Sequence, residues 1–92
     1  MKITEKITNN CYIGQKETGI YAGTRFVIKT DYDLNEGDNI NKETPIQAEI
    51  MTLCQLCEKV YNGGEDYSES MKQQAVDFYA GYITKDEIEY GL

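Results

Sequence analysis

The stretch that decides the fold is TPIQAEIMTLCQLCEKVY, residues 44–61. Thr44, Pro45 and Gln47 fit the N-cap, first and third positions of a helix, because threonine and glutamine form a capping box and proline favours the first turn. The sequence therefore predicts a helix over residues 44–61. Apolar residues cover much of its circumference, so it needs cover on more than one side, either as the central helix of the fold or in a homodimer contact. Its apolar residues recur at spacings of three and four, which is typical of one helix face: Ile46, Ile50, Leu53, Cys57 and Val60.

Upstream of this stretch, residues 1–30 alternate apolar and polar side chains, a pattern typical of β-strands. Ile3 and Ile7 indicate a first strand, and the two asparagines at 9–10 indicate a turn after it. Residues 11–13 indicate a second strand. The longest predicted strand covers residues 20–30. Its expected core face consists of Ile20, Ala22, Thr24, Phe26 and Ile28.

Downstream, residues 62–64 are expected to end the long helix, and Asp66 or Ser68 to cap a second one that Gly81 terminates. Thr84 and Glu87 form another capping box, which predicts a short third helix over residues 85–90. The predicted fold class is α+β, with a small N-terminal antiparallel β-sheet of about three strands packed against two α-helices and the short C-terminal helix. We expect a single domain over residues 1–92: β-rich from 1 to 30, an acidic loop from 31 to 43, and helical from 44 to 92.

The composition narrows the possible classes of function. The 92 residues include no histidine, which removes Ser-His and Cys-His nucleophile pairs and histidine acid–base chemistry, and glycine-rich phosphate loops are also missing. We therefore expect a protein that is not an enzyme and needs no cofactor. The N-terminus lacks the apolar segment of a signal peptide and no apolar run reaches membrane-spanning length, so a soluble, cytoplasmic protein is expected.

The charge is divided unevenly along the chain. Residues 1–30 hold five basic and two acidic residues, a net charge of +3, whereas residues 31–92 hold four basic and fourteen acidic residues, a net charge of −10. A surface with that negative charge repels free nucleic acid and membrane and attracts a basic groove. Spaced carboxylates can also imitate a phosphate backbone, which makes nucleic-acid mimicry a hypothesis for this protein.

The three cysteines are an odd number for a disulfide framework, and we expect free thiols. Cys54 and Cys57 form a Cys-x-x-Cys pair like those of redox and zinc motifs, and Cys11 could add a third thiolate. Redox pairs of this kind lie at a helix N-terminus, whereas these two fall more than two turns inside the predicted helix. Buried, inert thiols are therefore the expectation for these two cysteines on the apolar helix face.

The acidic segment from 31 to 43 partly matches an EF-hand calcium loop. Its first three oxygen ligands are in place, but the required glycine and the final glutamate each come one residue late. The alternative interpretation is a solvated loop whose Asn, Asp and Gly residues form turns. No metal site is favoured. If calcium binds, the ligands are Asp31, Asp33, Asn35 and Glu43.

Acidic residues and tyrosines together indicate a partner-binding surface. The chain has eight tyrosines, of which Tyr61 and Tyr79 are the best core candidates because each follows an apolar stripe. Tyrosine provides rigid contact area and is enriched in the centres of interfaces. The candidate partner-binding residues form three clusters near loops and predicted helix starts: Asp31, Tyr32, Asp33, Glu36 and Asp38; Glu65, Asp66, Tyr67 and Glu69; Asp86, Glu87 and Glu89.

In size, charge and tyrosine content the chain resembles small acidic inhibitors encoded by phages and plasmids, including anti-CRISPR proteins. The resemblance rests on bulk character and on no shared motif. It implies a viral or plasmid inhibitor acting in the host cell cytoplasm, whose partner is a nucleic-acid-handling protein with a basic surface. The alternatives are a calcium-binding module built on residues 31–43 and a homodimeric structural or assembly protein.

Overall fold

A computed structural model describes residues 1–40, 47–62 and 66–88. The chain divides into two compact units, Met1–Thr52 and Leu53–Leu92. The first unit contains an antiparallel sheet of four strands in the order β1-β2-β3-β4, and the second contains two α-helices and a 3-10 helix. The α+β fold class is confirmed, with one strand more than the sequence predicted. That the units form a single domain stays a prediction.

The strands of the first unit are β1 (Lys2–Thr8), β2 (Cys11–Gln15), β3 (Arg25–Thr30) and β4 (Ala48–Thr52). The predicted turn at residues 9–10 joins β1 to β2, where the Thr8 hydroxyl donates to Asn10 Oδ1 at 2.8 Å. Successive residues of a strand point to opposite faces, so the register places Tyr12 and Ile28 opposite each other on one face. Ile3, Tyr12, Ile28 and Ile40 form a buried apolar cluster of this unit.

The third strand is shorter than predicted. It begins at Arg25, because Gly19 and Gly23 adopt positive φ angles of 87° and 88° and turn the chain twice before the strand starts. The predicted core face is therefore wrong for its first residues. Ile20 is 90% exposed and Tyr21 is 62% exposed at the tip of this β2–β3 connection.

The predicted long helix is also wrong in its first half. Residues 48–52 form the edge strand β4, paired in register with β3, and the Thr30 hydroxyl donates to the Gln47 carbonyl at 2.7 Å just before it. The proposed cap at Thr44 and Pro45 lies outside the described residues. Helix α1 (Leu53–Tyr61) begins directly after β4, so Cys54 and Cys57 lie in its first turns. Of the three cysteines, all free, Cys11 and Cys57 are buried but Cys54 is exposed, contrary to expectation.

The second unit has α1 packed against α2 (Glu69–Ala80). Tyr61 is buried, as predicted, and its hydroxyl donates to the Met71 carbonyl at 2.7 Å. Its ring stacks with that of Tyr67 at a centroid distance of 6.2 Å. The other core candidate, Tyr79, is only half-buried. Asn62 ends α1 in the left-handed region, with φ of 59°.

The predicted ends of α2 are confirmed. The Ser68 hydroxyl accepts the Met71 N–H at 3.2 Å, and Gly81 closes the helix with φ of 89°. In the described part of the predicted third helix, Lys85–Glu87 form a single 3-10 turn, and residues 89–90 lie outside the described residues. One half of its predicted capping box is present, since the Thr84 N–H donates to Glu87 Oε1 at 3.2 Å, while the Glu87 N–H donates to the Thr84 carbonyl instead of the hydroxyl. Among the described residues, none of the helices has the length and apolar character that crossing a membrane requires.

Replacement of Ser68 by alanine should lower the free energy of unfolding by about 1 kcal/mol, because the Met71 N–H loses its acceptor at the helix start. The matched control is Ser70→Ala, which removes an exposed hydroxyl inside the same helix and should change stability by less than ~0.5 kcal/mol. Urea denaturation followed by circular dichroism measures both. Equal effects of the two substitutions would contradict the assigned cap.

Candidate acidic partner-binding loop

The described part of the acidic segment, residues 31–40, follows β3 and returns along the outer edge of β1. The Gly37 N–H donates to the Ile3 carbonyl at 2.8 Å, and the Ile3 N–H donates to the Asp38 carbonyl at 2.8 Å. Lys2 and Asn39 form an antiparallel bridge next to these bonds. The loop is thus attached to the sheet by main-chain hydrogen bonds, which restrict its backbone independently of its side chains.

The hydroxyl of Tyr12 fixes the first half of the loop. This side chain belongs to β2 and is completely buried. Its oxygen lies 2.9 Å from the Asn9 carbonyl and 3.0 Å from the Tyr32 carbonyl, both able to accept its proton, and it accepts the Leu34 N–H at 3.0 Å. Main-chain groups of the β1–β2 turn and of the acidic loop therefore share one buried hydroxyl.

A tight turn fixes the second half. The Asn35 N–H donates to the Asp38 carboxylate at 2.8 Å, and the Asp38 N–H donates to the Asn35 carbonyl at 3.1 Å. Gly37 takes a φ of 91°, a conformation that glycine adopts without a steric penalty. The Asn, Asp and Gly residues of this segment form the turn that the alternative to a calcium loop predicted.

The carboxylates of the loop differ in their pairing. Lys6 approaches Asp33 to 2.8 Å, and this hydrogen bond raises the pKa of the lysine. Asp31 and Glu36 are exposed and make no ion pair within the part of the chain that the structure describes. The ring of Tyr32 is 49% exposed beside them. Among the described residues, Asp33 is thus the one carboxylate of the four in this loop that forms an ion pair, and the loop keeps a negative field.

The other two predicted clusters lie in the second unit. Asp66 and Glu69 are exposed near the start of α2, where Lys72 approaches Glu69 to 3.4 Å. Tyr67 is half-buried against Tyr61. Asp86 and Glu87 are exposed in the 3-10 helix, and Glu87 serves the cap of Thr84. Glu65 and Glu89 lie outside the described residues, and that the three clusters bind one partner stays a prediction.

The structure offers little support for the calcium alternative. Lys6 already pairs with Asp33, and Glu43, the expected last ligand, lies outside the described residues. Within residues 1–40, 47–62 and 66–88, no three Cys, Asp or Glu side chains come together in a way that could hold a metal ion.

Two features of this region were missed by sequence reasoning. Tyr12 was not singled out, although it lies in the apolar run 11–13, and such a run indicates a strand buried on both faces. Ile20 and Tyr21 were assigned to a strand, so their exposure was not expected. The glycines at 19 and 23 were the available signal for a turn at that position.

Comparison of the chain with protein-family models, with curated proteins and with solved structures finds no significant match. The function of this protein is therefore inferred from the geometry of the loop and the chemistry of its side chains.

Replacement of Tyr12 by phenylalanine should lower the free energy of unfolding by roughly 1–3 kcal/mol, because the Leu34 N–H loses its acceptor and the Tyr32 carbonyl its donor. Amide hydrogen exchange at Leu34 should accelerate in the same variant. Tyr21→Phe, which removes an exposed hydroxyl, is the control and should change stability by less than ~0.5 kcal/mol. Unchanged protection of the Leu34 amide would contradict the role of this hydroxyl.

Proposed function

We propose that this protein is a small, non-enzymatic binding protein whose acidic loop, residues 31–38, occupies a basic site on a partner protein. The observation that carries the proposal is the fixed backbone of this loop, which Tyr12, the Asn35–Asp38 turn and the pairing with β1 hold in place. A surface ordered before binding loses less conformational entropy on association. Exposed carboxylates on such a backbone are suited to specific recognition.

The side chains of the loop suggest what the partner presents. Asp31 and Glu36 remain unpaired within the described structure, and Tyr32 offers a half-exposed ring between them in sequence. Carboxylates accelerate encounter with a positively charged surface, while an aromatic ring provides apolar contact that slows dissociation. A groove lined by lysine and arginine fits this combination.

Nucleic-acid-handling proteins carry such basic grooves, because phosphate neutralisation dominates their affinity for DNA and RNA. A rigid series of carboxylates would compete with the phosphate backbone for the same cations. We therefore propose competitive occlusion as the mechanism, with residues 31–38 imitating a short stretch of backbone. The chain's net charge of −7 favours the same kind of partner.

By analogy of size, charge and tyrosine content, the biological role would be that of a phage or plasmid anti-defence inhibitor of the anti-CRISPR kind, acting in the cytoplasm of the host. The absence of histidine from the sequence supports a role without catalysis. The Asp66–Glu69 and Asp86–Glu87 clusters of the second unit are proposed as further partner-binding residues. These assignments rest on the proposed function of the loop.

The test compares the wild-type protein with the double variant Asp31→Asn/Glu36→Gln, which removes the two unpaired charges and leaves the Lys6–Asp33 pair and the 35–38 turn intact. Both proteins are used as bait in host lysate at low and high salt, and mass spectrometry identifies the proteins retained. Stopped-flow association with the partner so identified should be roughly 3- to 10-fold slower for the double variant at low salt.

The control variant is Glu5→Gln/Glu58→Gln, which removes two exposed charges outside the acidic loop. It should associate nearly as fast as the wild type, because it keeps the field of the loop. Added DNA or RNA should displace the wild-type protein from the same partner. An association rate that does not change between low and high salt, or that falls equally in both double variants, would disprove occlusion by this loop.

A further inference from the structure

The structure places the Cys-x-x-Cys pair at the beginning of a helix. Strand β4 ends at Thr52, α1 starts at Leu53, Cys54 is its second residue, and Cys57 lies about one turn later. The first N–H groups of a helix have no partner inside the helix and form the positive end of its dipole. Thiols react with disulfides through their thiolate form, and Cys54 is exposed at this end of the helix. The two cysteines thus lie where redox Cys-x-x-Cys pairs are found, and not two turns inside a helix as the sequence predicted.

The two thiols have unequal environments. Cys54 is exposed, whereas Cys57 is 0% exposed. Burial raises the pKa of Cys57, the nearby Cys54 raises it further, and Lys72 acts in the opposite direction. Dissolved reagents can therefore contact the Cys54 thiol, whereas the Cys57 thiol is shielded from them. This division suits a sequential reaction in which Cys54 attacks and Cys57 resolves.

The surroundings of Cys54 provide a second, independent observation. Its side chain lines a cavity of about 420 Å³ together with Asp66, Tyr67, Ser68 and Lys72. The Tyr67 hydroxyl is buried and has no hydrogen-bond partner within the described part of the chain. Unpaired buried hydroxyls are uncommon in folded proteins. Beside the exposed thiol, Lys72 provides a cation for a polar group attached to sulfur.

We propose that Cys54 and Cys57 form a reversible thiol–disulfide pair that reacts with small-molecule disulfides. The Cys54 thiolate attacks one sulfur of the reagent, a new S–S bond forms, the reagent's own S–S bond breaks, and one thiolate leaves and takes up a proton. The Cys57 thiol then loses its proton and attacks the Cys54 sulfur, which expels the second reagent thiol. The protein dithiol is oxidised by two electrons, and one disulfide molecule is reduced to two thiols.

Helix geometry determines how stable the protein disulfide is. Side chains three residues apart on a helix have β-carbons about 5–6 Å apart, whereas a disulfide requires about 3.5–4.5 Å. The first turn of α1 must therefore tighten when the bond closes. A disulfide formed under this constraint is easily reduced, which is typical of regulatory rather than structural bonds.

The experiment exposes the folded, full-length chain to glutathione buffers that range from fully reduced to fully oxidised, and then traps the remaining thiols with a maleimide. Intact mass and peptide mapping locate the products. The wild type should form the Cys54–Cys57 disulfide and regain both thiols when reduced glutathione is added. Cys11, which is completely buried, should stay reduced throughout and serves as the internal control.

Single variants test the order of the steps. Cys57→Ser should stop at a glutathione adduct on Cys54, and Cys54→Ser should leave Cys57 unmodified. Cys57→Ala provides a second resolving-site variant should serine be poorly tolerated in the buried position, and circular dichroism confirms that each variant is folded.

Three results would overturn the proposal. One is a wild-type adduct on Cys54 that persists without conversion to the internal disulfide. Another is modification of Cys57 at the same rate in wild type and Cys54→Ser. The third is oxidation of Cys11 in parallel with Cys54, which would show that the reaction passes through unfolded chains. None of these outcomes bears on the acidic loop, so this proposal stands or falls independently of the proposed function.

Discussion

The buried hydroxyl of Tyr12 is the interaction on which the first unit depends. Its ring belongs to the same apolar cluster as Ile3, Ile28 and Ile40, while its oxygen bonds main-chain groups outside that cluster. Main-chain polar groups must find partners when they are buried, and this hydroxyl partners Tyr32 and Leu34 together. The packing of the core and the conformation of the charged loop are therefore coupled through one side chain.

The sequence identified several helix ends correctly, because these ends depend on interactions between residues that are close together in the chain. The Ser68 cap, the Gly81 terminus and the Thr84–Glu87 contact each depend on groups within four residues of one another, and all three are present, the last as one half of a capping box. Residues 31–40, the described part of the predicted acidic loop, follow β3, and their Asn, Asp and Gly residues form the expected turn. What holds that loop to the sheet could not be predicted, since Tyr12 and Leu34 are 22 residues apart.

The largest disagreement, in residues 44–61, has a specific physical cause. The segment 48–52 satisfies helical spacing when joined to the residues after it, and its five residues alone are too few for their spacing to distinguish a helix from a strand. Pairing with β3 decides between the two, and that pairing is a tertiary interaction. The position of the cysteine pair changed with this boundary, so a shift of a few residues altered the chemistry available to Cys54.

The pairing of residues 37–40 with β1 has a second consequence, for solubility. An unprotected strand edge is a template on which further chains can add strands, and here the acidic loop covers the edge at Ile3 and places carboxylates next to it. The residues proposed to bind a partner thus also prevent the edge of the sheet at Ile3 from pairing with strands of other molecules of this protein. Selection for partner affinity in this loop would then act under a constraint set by aggregation.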